Sequence, residues 1–63
     1  MAKGFHIRRS TGKRAGVNVH AVEVLEEHED GDEEVIVTVT SGDPNEVDRV
    51  QEQLADLLAR LIP

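Results

Sequence analysis

Asp43-Pro44-Asn45-Glu46 restricts the fold more than any other segment of the chain. It offers an N-cap carboxylate, proline at the first helical position and glutamate at the third, so the side chains of Asp43 and Glu46 can reciprocally satisfy backbone donors that a helix start leaves orphaned. Val47, Val50, Leu54, Leu57 and Leu61 follow at spacings of three and four, and Leu58 and Ile62 widen the stripe. That period predicts an amphipathic helix over 43–62. Such a stripe is broader than a coiled-coil seam and needs an apolar surface to cover it.

The residues before it supply one. Val17 to Glu27 and Glu34 to Thr40 are rich in β-branched residues and read as strands. Asp30-Gly31 between them predicts a two-residue type I′ hairpin turn. That turn pairs Val24 with Val37 and Val22 with Val39, with Val35 on the same face. This valine face is the expected core. The other face carries Ala21, Glu23 and Leu25 opposite Thr40, Thr38 and Ile36. Val17, Val19, Leu25 and Ile36 there, with Leu58 and Ile62 at the helix margin, are the expected self-association residues. Phe5 and Ile7 alternate with His6 and Arg8, suggesting a short first strand, and Ser10 to Gly16 reads as a basic loop. The expected class is α+β: a small antiparallel sheet of two or three strands with one C-terminal helix on one face. A single domain covers 1–63, divided into a basic strand and loop (1–16), a hairpin (17–40) and the helix (43–62).

Composition narrows the function. The chain has 63 residues, no cysteine, and thirteen acids against seven Lys and Arg, for a net charge of −6. A disulfide scaffold and a cysteine zinc site are excluded. No apolar run approaches the roughly 20 residues of a membrane span. The N-terminus lacks the apolar stretch of a signal peptide, so a cytoplasmic location without membrane association is expected. A domain this small buries only about 60% of its unfolded surface, which favours self-association as a source of stability. Residues 1–22 hold Lys3, Arg8, Arg9, Lys13 and Arg14 and no acid, whereas every acid lies beyond them. Arg8, Arg9, Lys13 and Arg14 are candidate contacts for an anion or phosphate. Alternatively, the basic end lies on the acidic end, within one chain or between copies.

No motif specifies catalysis or a cofactor. Glu26, Glu27, Glu29, Asp30, Asp32, Glu33 and Glu34 crowd the hairpin tip, but their spacing is not that of a calcium loop, and a solvated tip is expected. The hairpin register sets Glu27 against Glu34 and Glu29 against Asp32. His6, His20 and His28 are scattered, and no metal ligand is assigned among them. Gly12-Lys13-Arg14-Ala15-Gly16 is not a P-loop: Ile7 stands where its first glycine would be, and Arg14 where Ser or Thr must follow the lysine. Ser10 and Ser41 lack a nucleophile motif. Ala2 stands where small tautomerases carry their catalytic proline.

Two segments resemble the second half of an ACT domain of the kind found in the small regulatory subunit of acetolactate synthase. Ala15-Gly16-Val17-Asn18-Val19-His20-Ala21-Val22-Glu23-Val24 is similar to that family's entry into its second strand. Val37-Thr38-Val39-Thr40-Ser41-Gly42-Asp43, with Val47, Val50, Gln53-Leu54, Leu57 and Leu58, is similar to its strand, S-G-D turn and helix. The resemblance covers about two thirds of the chain when the intervening hairpin is included. Room for the family's first strand and first helix is missing, as is its last strand. Its ligand-binding turn has no counterpart, so no ligand residue is carried over. The resemblance implies a ferredoxin-like half that completes itself by pairing with another copy. The expected function is a non-enzymatic interaction or regulatory module, a homodimer or higher homo-oligomer, with a protein partner as a further option. The alternative is a nucleic-acid-binding module using the basic segment.

Overall fold

A computed structural model describes residues 2–61 of the chain, with side chains over 4–61. Three strands, β1 (Ala2–Arg14), β2 (Val17–His28) and β3 (Glu33–Ser41), precede one helix, α1 (Pro44–Leu61). The strands form one antiparallel sheet in the order β1-β2-β3. The α+β class is the one expected, and of the two strand counts left open the three-stranded β-β-β-α order is found.

The first strand is far longer than the alternation of Phe5 to Arg8 suggests. The residues expected as a loop continue β1 to Arg14, which pairs with Val17. Ala15 and Gly16 form the turn with φ of 53° and 79°. Positive φ at both positions is type I′ geometry, whose twist suits a two-residue hairpin. The polar run Ser10-Thr11-Gly12-Lys13 hides the strand because its side chains are all exposed. Residues 12–14 and 17–19 extend past the last rung of β3, His20–Ser41, as a two-stranded ribbon. Alanine is a poor occupant of left-handed backbone. Ala15→Asn should therefore stabilise the fold by about 0.5–1 kcal/mol, a rise in Tm of roughly 3–6 °C. A lower Tm would contradict the turn geometry.

The second turn corrects the expected two-residue loop. The His28 N–H donates to the Asp32 carbonyl at 2.9 Å, and the Gly31 N–H to the His28 carbonyl at 3.0 Å. Gly31 has φ 91°, while Asp30 is not among the positive-φ residues. This is a three-residue loop closed by a left-handed glycine. It sets Glu27 opposite Glu33, Glu26 opposite Glu34 and Leu25 opposite Val35, one residue away from the expected register. A bulge between Val24 and Leu25 on the β2 side then absorbs the offset. Ile36 is the unmatched residue of β3, and Val24–Val37 and Val22–Val39 pair as expected. The bulge also moves Val35 off the valine face, because its partner Leu25 alternates away from Val24.

The helix begins through a relay rather than the expected reciprocal box. Asp43 Oδ1 accepts the Asn45 N–H at 3.0 Å, and the Asp43 carbonyl accepts the Glu46 and Val47 N–H groups. Glu46 does not return to the Asp43 N–H. That N–H donates to Ser41 Oγ at 3.0 Å, and the Ser41 hydroxyl donates to Glu46 Oε2 at 3.2 Å. The end of β3 and the start of α1 are thus locked together. Asp43→Ala should cost about 1 kcal/mol, measurable as a lowered urea midpoint with unchanged slope.

Among the described residues Val22, Val24, Leu25 and Val47 are the buried apolar ones. Of the helical stripe, Val47 is buried, Val50, Leu54 and Leu58 are half-buried, and Leu57 and Leu61 are 53% and 72% exposed. The expected complete covering of the stripe is not realised. Three strands offer a narrower apolar platform than an 18-residue stripe of this width requires.

Candidate functional site

Six large apolar side chains are exposed among the described residues, against four that are buried. The exposed ones are Val17, Val35, Ile36, Val37, Leu57 and Leu61. Total accessible area is 4657 Å². A monomer of 6.9 kDa ordinarily exposes about 4,000 Å², so the excess is about 650 Å². The radius of gyration is 13.1 Å, where a compact domain of this length has about 10.6 Å. Both values reflect an elongated chain, 40 × 24 × 11 Å, with a ribbon that projects beyond β3.

The exposed apolar residues cluster by register. Val35, Ile36 and Val37 are consecutive on β3, an edge strand. From Val35 to Ser41 that edge carries no charge and no proline. The opposite edge, β1, carries Arg8, Arg9, Lys13 and Arg14, charges of the kind that discourage edge-to-edge pairing. The helix contacts β2 and β3 more than β1, which sets Leu57 and Leu61 on the element nearest the uncharged edge.

The expected self-association residues divide. Val17 and Ile36 are exposed, and Val19 and Leu58 are half-buried. Leu25 is only 2% exposed, so it is withdrawn from any partner. Its neighbours on the helix-free face are His6, Val35, Glu23 and Glu27, long or branched side chains whose stems can shield an apolar residue. Ile62 lies outside the described residues. Leu57, Leu61, Val35 and Val37 are the exposed residues that the sequence pattern assigned to the core.

The basic residues divide as well. Arg8 stands directly across from Glu23, with Nε and Nη2 each 3.1 Å from Glu23 Oε1. Arg9 reaches the helix, with Nη1 2.6 Å from Asp48 Oδ1 and 2.8 Å from Gln51 Oε1. The basic end therefore lies partly on acids of the same chain. Lys13 and Arg14 are exposed on the ribbon, and neither forms an ion pair among the described residues.

Register also brings His6 between Glu27 and Glu33 on the helix-free face. His28 pairs separately with Glu26, Nε2 to Oε1 at 3.1 Å. No helix among the described residues is long and apolar enough to cross a membrane. No family model, curated protein or solved structure matches this chain.

Proposed function

We propose that this chain is a non-enzymatic interaction module whose first partner is a second copy of itself, joined through the β3 edge. The observation that carries this is the surplus of exposed over buried large apolar residues, concentrated at that edge and on the helix beside it. Antiparallel pairing of β3 with its symmetry mate makes a continuous six-stranded sheet. A twofold interface presents the same patch from both copies. Both helices then lie on one side of the sheet, and Leu57 and Leu61 of each copy gain an apolar neighbour. An ACT-like half would complete itself in this way, and a regulatory role toward a protein partner is the matching extension.

Each copy carries a net charge of −6, so association opposes electrostatic repulsion. Raising salt from 50 to 500 mM should tighten self-association, because screening weakens that repulsion. The measurement is a dilution series of amide spectra at both salts. Concentration-dependent shifts at Ile36, Val37, Leu57 and Leu61, larger at high salt, support the proposal. Spectra independent of concentration over the micromolar to millimolar range contradict it.

The protruding ribbon with Lys13 and Arg14 favours a second reading, contact with nucleic acid, since a two-stranded ribbon fits a major groove. That reading predicts the opposite salt dependence, with binding lost as salt rises. Neutralisation of Arg8 and Arg9 by Glu23 and Asp48 leaves it fewer phosphate contacts. Anisotropy of a labelled duplex should therefore stay flat at near-physiological salt.

A further inference from the structure

His6, Glu27 and Glu33 come from three different strands and meet on the helix-free face. His6 Nδ1 is 2.7 Å from Glu27 Oε1, and Nε2 is 3.1 Å from Glu33 Oε2. One potential ligand atom from each residue lies within 4.8 Å of the other two. Glu27 and Glu33 are direct cross-strand partners, a like-charge pairing that costs stability unless a cation offsets it.

Both ring nitrogens of His6 face a carboxylate, so two negative charges converge on one ring. No lysine or arginine lies between Lys13-Arg14 and Arg49 in the chain, and eight acids fall within 23–34. The surrounding field therefore attracts cations.

We propose that His6, Glu27 and Glu33 form a binding site for a divalent transition cation of the zinc type. One imidazole nitrogen and one oxygen of each carboxylate bind the ion, and water completes the coordination. Nitrogen with carboxylate oxygen suits zinc, whereas magnesium and calcium favour oxygen alone. Tetrahedral zinc with ligand bonds of about 2.0–2.1 Å separates its ligand atoms by about 3.3 Å. The two present contacts go to different nitrogens of the ring, so the side chains have to shift until both oxygens flank one nitrogen. At 39%, 42% and 45% exposure they have room to do so.

The test is calorimetric titration of the full chain with zinc chloride in a non-coordinating buffer. Imidazole resonances are followed in parallel, and His6→Gln and Glu33→Gln serve as variants. His28, paired with Glu26 alone, is an internal control. The expected result is one ion per chain, perturbation of the His6 ring with His20 and His28 unmoved, and at least about tenfold weaker binding in each variant. Glu33→Gln replaces an exposed side chain and keeps its shape, so its result stands even where His6→Gln disturbs the fold. Equal binding of magnesium or calcium, a shifted His28 ring with His6 unchanged, or wild-type affinity in folded Glu33→Gln overturns the site. So does the absence of zinc binding at millimolar concentration.

Discussion

Val22→Asp should leave the chain unfolded at 25 °C, with collapsed amide dispersion and a coil-like circular dichroism spectrum. Val22 is 0% exposed, lies centrally in β2 and pairs with Arg9 on one side and Val39 on the other. The helix residue Val47 is likewise 0% exposed. The nearest cation, Arg9 across the ladder, is already engaged by Asp48 and Gln51. Taking an unpaired charge out of water costs several kcal/mol, and neutralising it by protonation costs a comparable amount at neutral pH. A single core below about 70 residues rarely supplies more than about 3–5 kcal/mol of stability. The substitution therefore exceeds the stability available. Val17→Asp is the matched control, because Val17 is exposed on the ribbon and its loss removes little burial. A folded Val22→Asp protein would mean that the helix does not seal the valine face.

Ile36→Lys should separate the copies and spare the fold. Ile36 is the bulge residue of β3, unmatched in the ladder and exposed in the single chain. Its replacement should alter monomer stability by no more than about 0.5 kcal/mol. In the paired form the cost is larger. Each copy loses the burial of an isoleucine, worth about 1.5–3 kcal/mol, and a twofold axis counts the change twice. At half that benefit the dissociation constant should rise about 10- to 150-fold. Thr38→Lys, also on the β3 edge, should act in the same direction. Lys13→Ala on the distant ribbon should leave association unchanged. Dilution spectra and sedimentation of the three variants check the pattern.

The helix and the valine face were legible because each rests on a short-range pattern. The cap chemistry at Asp43 marks the helix start within a residue, and period-two valines define a face regardless of the turn that joins them. Val22–Val39 and Val24–Val37 were anticipated from a two-residue turn, although the turn has three residues. The bulge at Ile36 restores the register that the longer loop displaces. Turn and bulge compensate each other, and no local pattern reveals such a pair. The unbroken run Val35-Ile36-Val37 is the one signal that could have indicated it, since strict alternation fails there.

Strand β1 was obscured for a different reason. Its outer half pairs with β2 but packs against nothing, so polar residues are tolerated on both faces. Hydrophobic periodicity reports burial, and without burial it is silent. The alanine in the Ala15-Gly16 turn added to this, since alanine gives no turn signal. The His6, Glu27 and Glu33 cluster needs the register of three strands at once, and the expected Glu27–Glu34 pairing would have placed the wrong acid beside it. The ion pairs of Arg8 and Arg9 depend on the same long-range geometry. Exposure of Leu57 and Leu61 was likewise invisible, because a stripe shows which way a helix wishes to face and not how wide a surface awaits it.

Sedimentation equilibrium of the unmodified chain between about 5 and 500 μM, near-physiological salt, tests the central claim most directly, since this span brackets the weak homodimers expected of a standard-sized interface with few anchors. The prediction is a weight-average mass that climbs from 6.9 kDa toward twice that value and levels there, as a closed twofold dimer requires. A stably folded species fixed at 6.9 kDa across the whole range would contradict it.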